Sequence, residues 1–123
     1  VKFKSKHVEA RFALLCDRAK ELAIEMAVWA MNRYKIELVF TATVSTKEED
    51  KVLGRVSDTH RTGRAFDIRT AGLPEAFIAE FILHFETKYP KLGAGKLIVN
   101  KAHGTGPHLH VQLNRTFAIV PIV

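Results

Sequence analysis

Two short segments of this chain place large apolar side chains at every second position, and in both the intervening positions include metal-ligand types. The first is Ala65-Phe66-Asp67-Ile68, preceded by His60 and Gly63. The second is His108-Leu109-His110-Val111, preceded by Gly106 and Pro107. A period of two is the signature of a strand, in which successive side chains point to opposite faces. Asp67 therefore shares a face with the small Ala65, while Phe66 and Ile68 turn towards a core. His108 and His110 share one face; Leu109 and Val111 share the other. Gly63 permits a tight turn that returns His60 to the side of Asp67. The pattern commits the chain to a sheet with one apolar face and one face bearing imidazoles and a carboxylate.

The remaining elements follow from periodicity and turn chemistry. His7 to Lys35 reads as one long helix, because Val8, Phe12, Leu15, Ala19, Leu22, Met26 and Met31 recur at roughly helical steps without Gly or Pro. Cys16 falls inside this run and reads as a small core hydrophobe; Met26, Trp29 and Met31 read as core packing. Ile36 to Val44 is rich in strand formers. Ser45 to Thr62 is polar and reads as a long loop, of a length that often carries function. Arg64 to Arg69 is a short strand. Pro74 to Lys88 is a second helix, with Phe77, Ile78, Phe81, Ile82 and Phe85 on one side. Lys96 to Asn100 and Pro107 to Leu113 are strands joined by the turn His103-Gly104-Thr105-Gly106. Phe117 to Ile122 is an edge strand or a packed extension. The order α-β-loop-β-α-β-β predicts one α+β domain over residues 1–123, with a small, mainly antiparallel sheet and helices packed on one face.

Composition narrows the partners. The net charge of +6, from 19 basic and 13 acidic residues, favours a nucleic acid, an anionic membrane or an anionic cell-wall polymer. No aromatic stacking strand or zinc-finger spacing supports a specific nucleic-acid reader. The most apolar stretch, Ala23 to Met31, contains Glu25 and is too short to cross a bilayer, so no membrane insertion is expected. A single cysteine excludes an internal disulfide and a thiolate-rich zinc knuckle. Beyond Glu86 there is no Asp or Glu, whereas Lys88, Lys91, Lys96, Lys101 and Arg115 follow.

His60, Asp67 and His110 together offer two imidazoles and a carboxylate. That is the ligand set of a zinc ion held by three protein groups with a fourth position left to water. Zinc lowers the pKa of such a water towards about 7 and polarises a carbonyl, the two effects amide hydrolysis needs. His108 is a spare imidazole on the same face. His103 precedes the glycine turn and is a candidate for the surroundings of the site. His7 and His84 have no such company, and His84 reads as a surface or boundary residue.

The joint pattern His60-x-x-Gly63-x-Ala65-x-Asp67 with His108-x-His110 resembles the LAS metallopeptidases. These include D-Ala-D-Ala carboxypeptidases and dipeptidases, phage L-alanyl-D-glutamate endolysins, murein endopeptidases and the hedgehog signalling domain. The resemblance is specific over about Ser57 to Ile68 and Gly104 to Leu113. It implies a hedgehog/DD-peptidase-like fold and a zinc-dependent peptidase acting on peptidoglycan stem peptides. It implies one Zn2+ on His60, Asp67 and His110, with His108 stabilising the transition-state oxyanion. The chain departs from the family's pattern at several positions. Asp58 stands where many members have Ser, and Pro107 where many have a general-base Glu. No arginine lies in Thr41 to Thr46 to hold a substrate carboxylate, and Arg55 and Arg69 are the substitutes. Candidates for the base are His103, His108, Glu48, Glu49 and Asp58, with Asp58 and His103 as surrounding groups.

A catalytically inactive zinc-binding module of the same fold is the alternative to a peptidase. No secretory leader opens the sequence. A short chain without a separate wall-binding domain suits a phage or prophage lysis enzyme, monomeric and cytoplasmic until released to the wall; otherwise it is secreted behind a removed leader.

Overall fold

The computed structural model describes residues 1–101 and 106–122. Within them the chain forms β1 (Lys2–Phe3), α1 (Lys6–Phe12), α2 (Asp17–Tyr34), β2 (Val39–Ala42), α3 (Lys47–Val52), β3 (Ala65–Arg69), α4 (Glu75–Lys88), β4 (Gly93–Lys101) and β5 (His108–Leu113), then a 3-10 turn, Arg115–Phe117. The five strands make one open sheet in the order β1-β2-β3-β5-β4. Every pairing is antiparallel except that of β1 with β2. The architecture is a small α+β domain.

Register fixes the two faces. Across β3 and β5, Phe66 pairs with Val111 and Ile68 with Leu109, all four buried in the core. The intervening pairs, Ala65 with Gln112, Asp67 with His110 and Arg69 with His108, lie on the opposite face. A slip of one residue would exchange the two sets, so burying four large apolar side chains also sets the histidines on the open face. The core is completed by Leu22 and Met26 of α2 and by Phe77, Phe81 and Phe85 of α4. Trp29 bridges these two helices, with its ring 5.7 Å from Phe81 and 5.8 Å from Phe85 in edge-on geometry. His84 is half-buried and stacks on Trp29.

Several expectations from the sequence are corrected. The helix expected over His7 to Lys35 is two helices, broken at Ala13 to Cys16. There the backbone turns so that the Cys16 N–H donates to Gly63 O at 2.8 Å. That contact lies across the fold, and it overrides a continuous local preference. Cys16 is the extended residue capping α2 rather than a helical one, though it still packs against the core. Met31 is exposed, not packed. The Ser45 to Thr62 loop contains α3, started by a reciprocal capping box between Thr46 and Glu49. Pro74 flanks α4 as its N-cap instead of opening it. The C-terminal segment is the packed extension and not a strand: Ile119 N–H donates to Thr62 O at 2.8 Å. The turn at His103, Gly104 and Thr105 lies outside the described residues.

Candidate metal centre

β3 and β5 carry two of the three candidate ligands as direct neighbours, since Asp67 and His110 are register partners. The third arrives from a turn. Residues 58–64 fold back through Thr62 N–H to Asp58 O, Gly63 N–H to His60 O and Arg64 N–H to Thr59 O. Gly63 closes this turn with φ +68°, and a Cβ there would stand 2.5 Å from Ile119 Cδ1. Both the backbone sign and the close approach call for glycine. Arg64, buried, ties the turn down: its guanidinium donates to Leu113 O and to Asp58 Oδ1, each at 2.8 Å.

The result is a buried group in which one atom each of His60, Asp67 and His110 lie within 4.8 Å of one another. Asp67 Oδ1 is 3.3 Å from His60 Nε2 and 2.9 Å from His110 Nδ1. Two atoms each about 2.0–2.1 Å from one tetrahedral ion stand about 3.3 Å apart, so the two separations from Asp67 suit a shared cation, while the two imidazole nitrogens lie within 4.8 Å of each other. The outward nitrogens are also engaged. His60 Nδ1 donates to Thr43 O at 2.8 Å, and His110 Nε2 faces Gln112 Oε1 at 3.1 Å and Thr59 Oγ1 at 3.4 Å. Outer partners of this kind fix ring orientation in metal sites. A carbonyl oxygen only accepts, so Nδ1 of His60 carries a hydrogen, and Nε2 is the nitrogen directed at Asp67. A carboxylate and two imidazole nitrogens that converge in a buried place are held together by a cation or by protons. Burial alone would raise the Asp67 pKa. The charges and hydrogen bonds of His60 and His110 outweigh it and hold the carboxyl well below its ordinary range.

The group lies in a cleft of about 770 Å³. His108 is beside it: Nδ1 donates to Gly106 O at 2.8 Å, and Nε2 stands 3.7 Å from Asp67 Oδ2. Arg55 also faces the carboxylate, with Nη2 4.0 Å from Asp67 Oδ2 and Nη1 3.1 Å from the buried Asp50 Oδ1. Asp50 also binds Arg61 at 3.2 Å and so fastens α3 to the His60 turn. Arg69 is exposed on the cleft wall, opposite His108. Asp58 does not line the cleft. Its carboxylate pairs with Arg115 and Arg64, which lower its pKa against a smaller opposing effect of burial. Glu48 and Glu49 line a separate, smaller pocket. Asp67 is therefore the one carboxylate on the cleft wall among the described residues; His103 lies outside them.

Thr43, Arg64, Asp50 and Gln112 support the site but were not singled out in the sequence. Gln112 had a usable signal, since it continues the His108, His110 alternation on the same strand face. The others act through distant backbone or paired charges that no local pattern encodes. Comparisons of the chain with protein-family models, with curated proteins and with solved structures return no match, and the reading of this site rests on its own geometry.

Proposed function

We propose that the protein is a zinc-dependent peptidase that hydrolyses an amide bond in bacterial peptidoglycan stem peptides, as its resemblance to the LAS metallopeptidases implies. The observation that carries the reading is the convergence of His60, Asp67 and His110 in a cleft with a fourth side group, His108, held beside them. A zinc ion held by these three residues would supply an acidified water at neutral pH and a polarised carbonyl. His108 Nε2, oriented by the Nδ1 bond to Gly106 O, would as part of an imidazolium donate to the carbonyl oxygen as charge develops there. With Glu48, Glu49 and Asp58 absent from the cleft wall, no second described carboxylate stands there to take a proton from water while His108 Nε2 holds its own. Arg55, braced by Asp50, and Arg69 offer guanidinium groups to a substrate carboxylate.

The test is digestion of purified murein by the zinc-loaded protein, with mass spectrometry of the released fragments. New peptide termini should appear, absent with His60→Ala and His110→Ala, and they identify the bond cut. Equal lysis by those variants would end the proposal. A second reading is a zinc-binding module without turnover, favoured by a cleft wall whose one described carboxylate is a candidate ligand. Zinc bound at one ion per chain with no new termini in any stem peptide would select it.

A further inference from the structure

We infer that Gln112 is a positioning residue that dictates which nitrogen of His110 faces the metal. The inference rests on the reading of His60, Asp67 and His110 as ligands, but not on peptidase activity. Gln112 follows His110 by one alternation on β5, paired with Ala65 on the cleft face. Its amide nitrogen donates to two carbonyls of β4, Ala94 O at 3.1 Å and Lys96 O at 3.2 Å. Both amide hydrogens are then used. The network thereby fixes the amide's orientation, and Oε1 is what turns to His110 Nε2, at 3.1 Å.

An oxygen that can only accept takes a hydrogen from Nε2. Asp67 Oδ1, 2.9 Å from Nδ1, also only accepts, so a hydrogen fills that place until a cation displaces it and leaves Nδ1 as the coordinating nitrogen. Thr59 Oγ1, 3.4 Å from the same Nε2, is a hydroxyl that either donates or accepts, so it does not choose between tautomers. His60 is set the opposite way by Thr43 O, which leaves its Nε2 inward. The two imidazoles thus present unlike nitrogens to the metal, one fixed by backbone and the other by a side chain that is itself pinned to the neighbouring strand. Without Gln112, Nε2 loses its fixed acceptor, and the one hydrogen of a neutral His110 stays on Nδ1 against Asp67, at the nitrogen that coordination needs.

Gln112→Leu removes the acceptor, and Gln112→Glu restores an acceptor while still lacking the amide donors to β4. Any damage to the β4 contact is common to both variants, so their difference isolates the bond to His110. Zinc affinity is measured by chelator competition, and the hydrogen-bearing nitrogen of His110 by ring 15N shifts. Gln112→Leu should weaken zinc binding about 10–100-fold and lose the Nε2–H signature; Gln112→Glu should recover both. Unchanged affinity and ring shifts in Gln112→Leu would overturn the inference, as would equal loss in both variants. If the wild-type protein bound no zinc, the metal reading would fail separately, and the metal-free ring shifts of the two variants would still decide the role of Gln112.

Discussion

Asp67 and His108 share a carboxylate edge but not a task, and single substitutions separate them. Asp67 stays ionised because two imidazoles offset the burial that would otherwise neutralise it. Asp67→Asn keeps the shape and removes the charge, and zinc affinity should fall by at least about 100-fold, measured by calorimetry. His108→Ala leaves all three ligand atoms in place, so zinc affinity should change less than about threefold. Turnover of a stem peptide should fall about 10²–10³-fold, the usual loss of one oxyanion donor. Loss of zinc from His108→Ala would make it a ligand instead.

The elements differ in how far local sequence decides them. β3 and β5 are readable because alternation is a local property and the core enforces it; the placement of Asp67 opposite His110 needs the strand pairing as well, which no local pattern encodes. α4 was readable from the phenylalanine spacing. The break between α1 and α2 was not, since Cys16 leaves the helix to reach Gly63 O, a partner fixed only in the assembled fold. α3 was written in Thr46-Lys47-Glu48-Glu49, a capping signature hidden in a segment whose polarity suggested a loop. The supports of His60 were illegible because they are a backbone carbonyl and a buried arginine.

Glu49 makes α3 acid-sensitive. Burial opposes ionisation, but the Thr46 N–H and the Arg11 guanidinium prevail and bring its pKa down to about 2 from 4.5. A lowered pKa means the stabilisation is complete above about 4.5 and is lost as the pH falls towards 2. Glu49→Gln should lower stability at pH 7 and flatten its decline between those pH values, followed by chemical denaturation across pH. An unchanged acid limb would show that Glu49 does not couple α1 to α3.

Glycine at the His60 turn is a second element-level constraint. Gly63→Ala should cost at least about 1–2 kcal/mol for the left-handed backbone, read as a lower melting temperature. Gly72→Ala meets the same kind of backbone with nothing within 4 Å of its Cβ, so the excess loss at Gly63 reports the contact with Ile119. Equal losses at the two sites would show that contact to be inconsequential.

At the scale of the molecule, a site formed only by the folded sheet and turn couples ion binding to folding. Zinc at 100 times its dissociation constant should stabilise the protein by about 2.7 kcal/mol and raise its melting temperature by roughly 10 °C. Asp67→Asn should show no such shift at the same concentration, and a shift of equal size would place the ion elsewhere. The cleft wall sets Lys4, Arg55, Arg69 and Lys101 against the single carboxylate of Asp67, which continues the chain's net charge of +6 onto the surface a ligand meets.

The His60 turn is gripped from two sides by strangers in sequence: Cys16 hydrogen-bonds Gly63, and Ile119 hydrogen-bonds Thr62. One imidazole of the candidate metal group is consequently moored to the start of α2 and to the segment that follows the 3-10 turn. Loosening the start of α2 or prising away the Ile119 segment would be felt as drift of that ring.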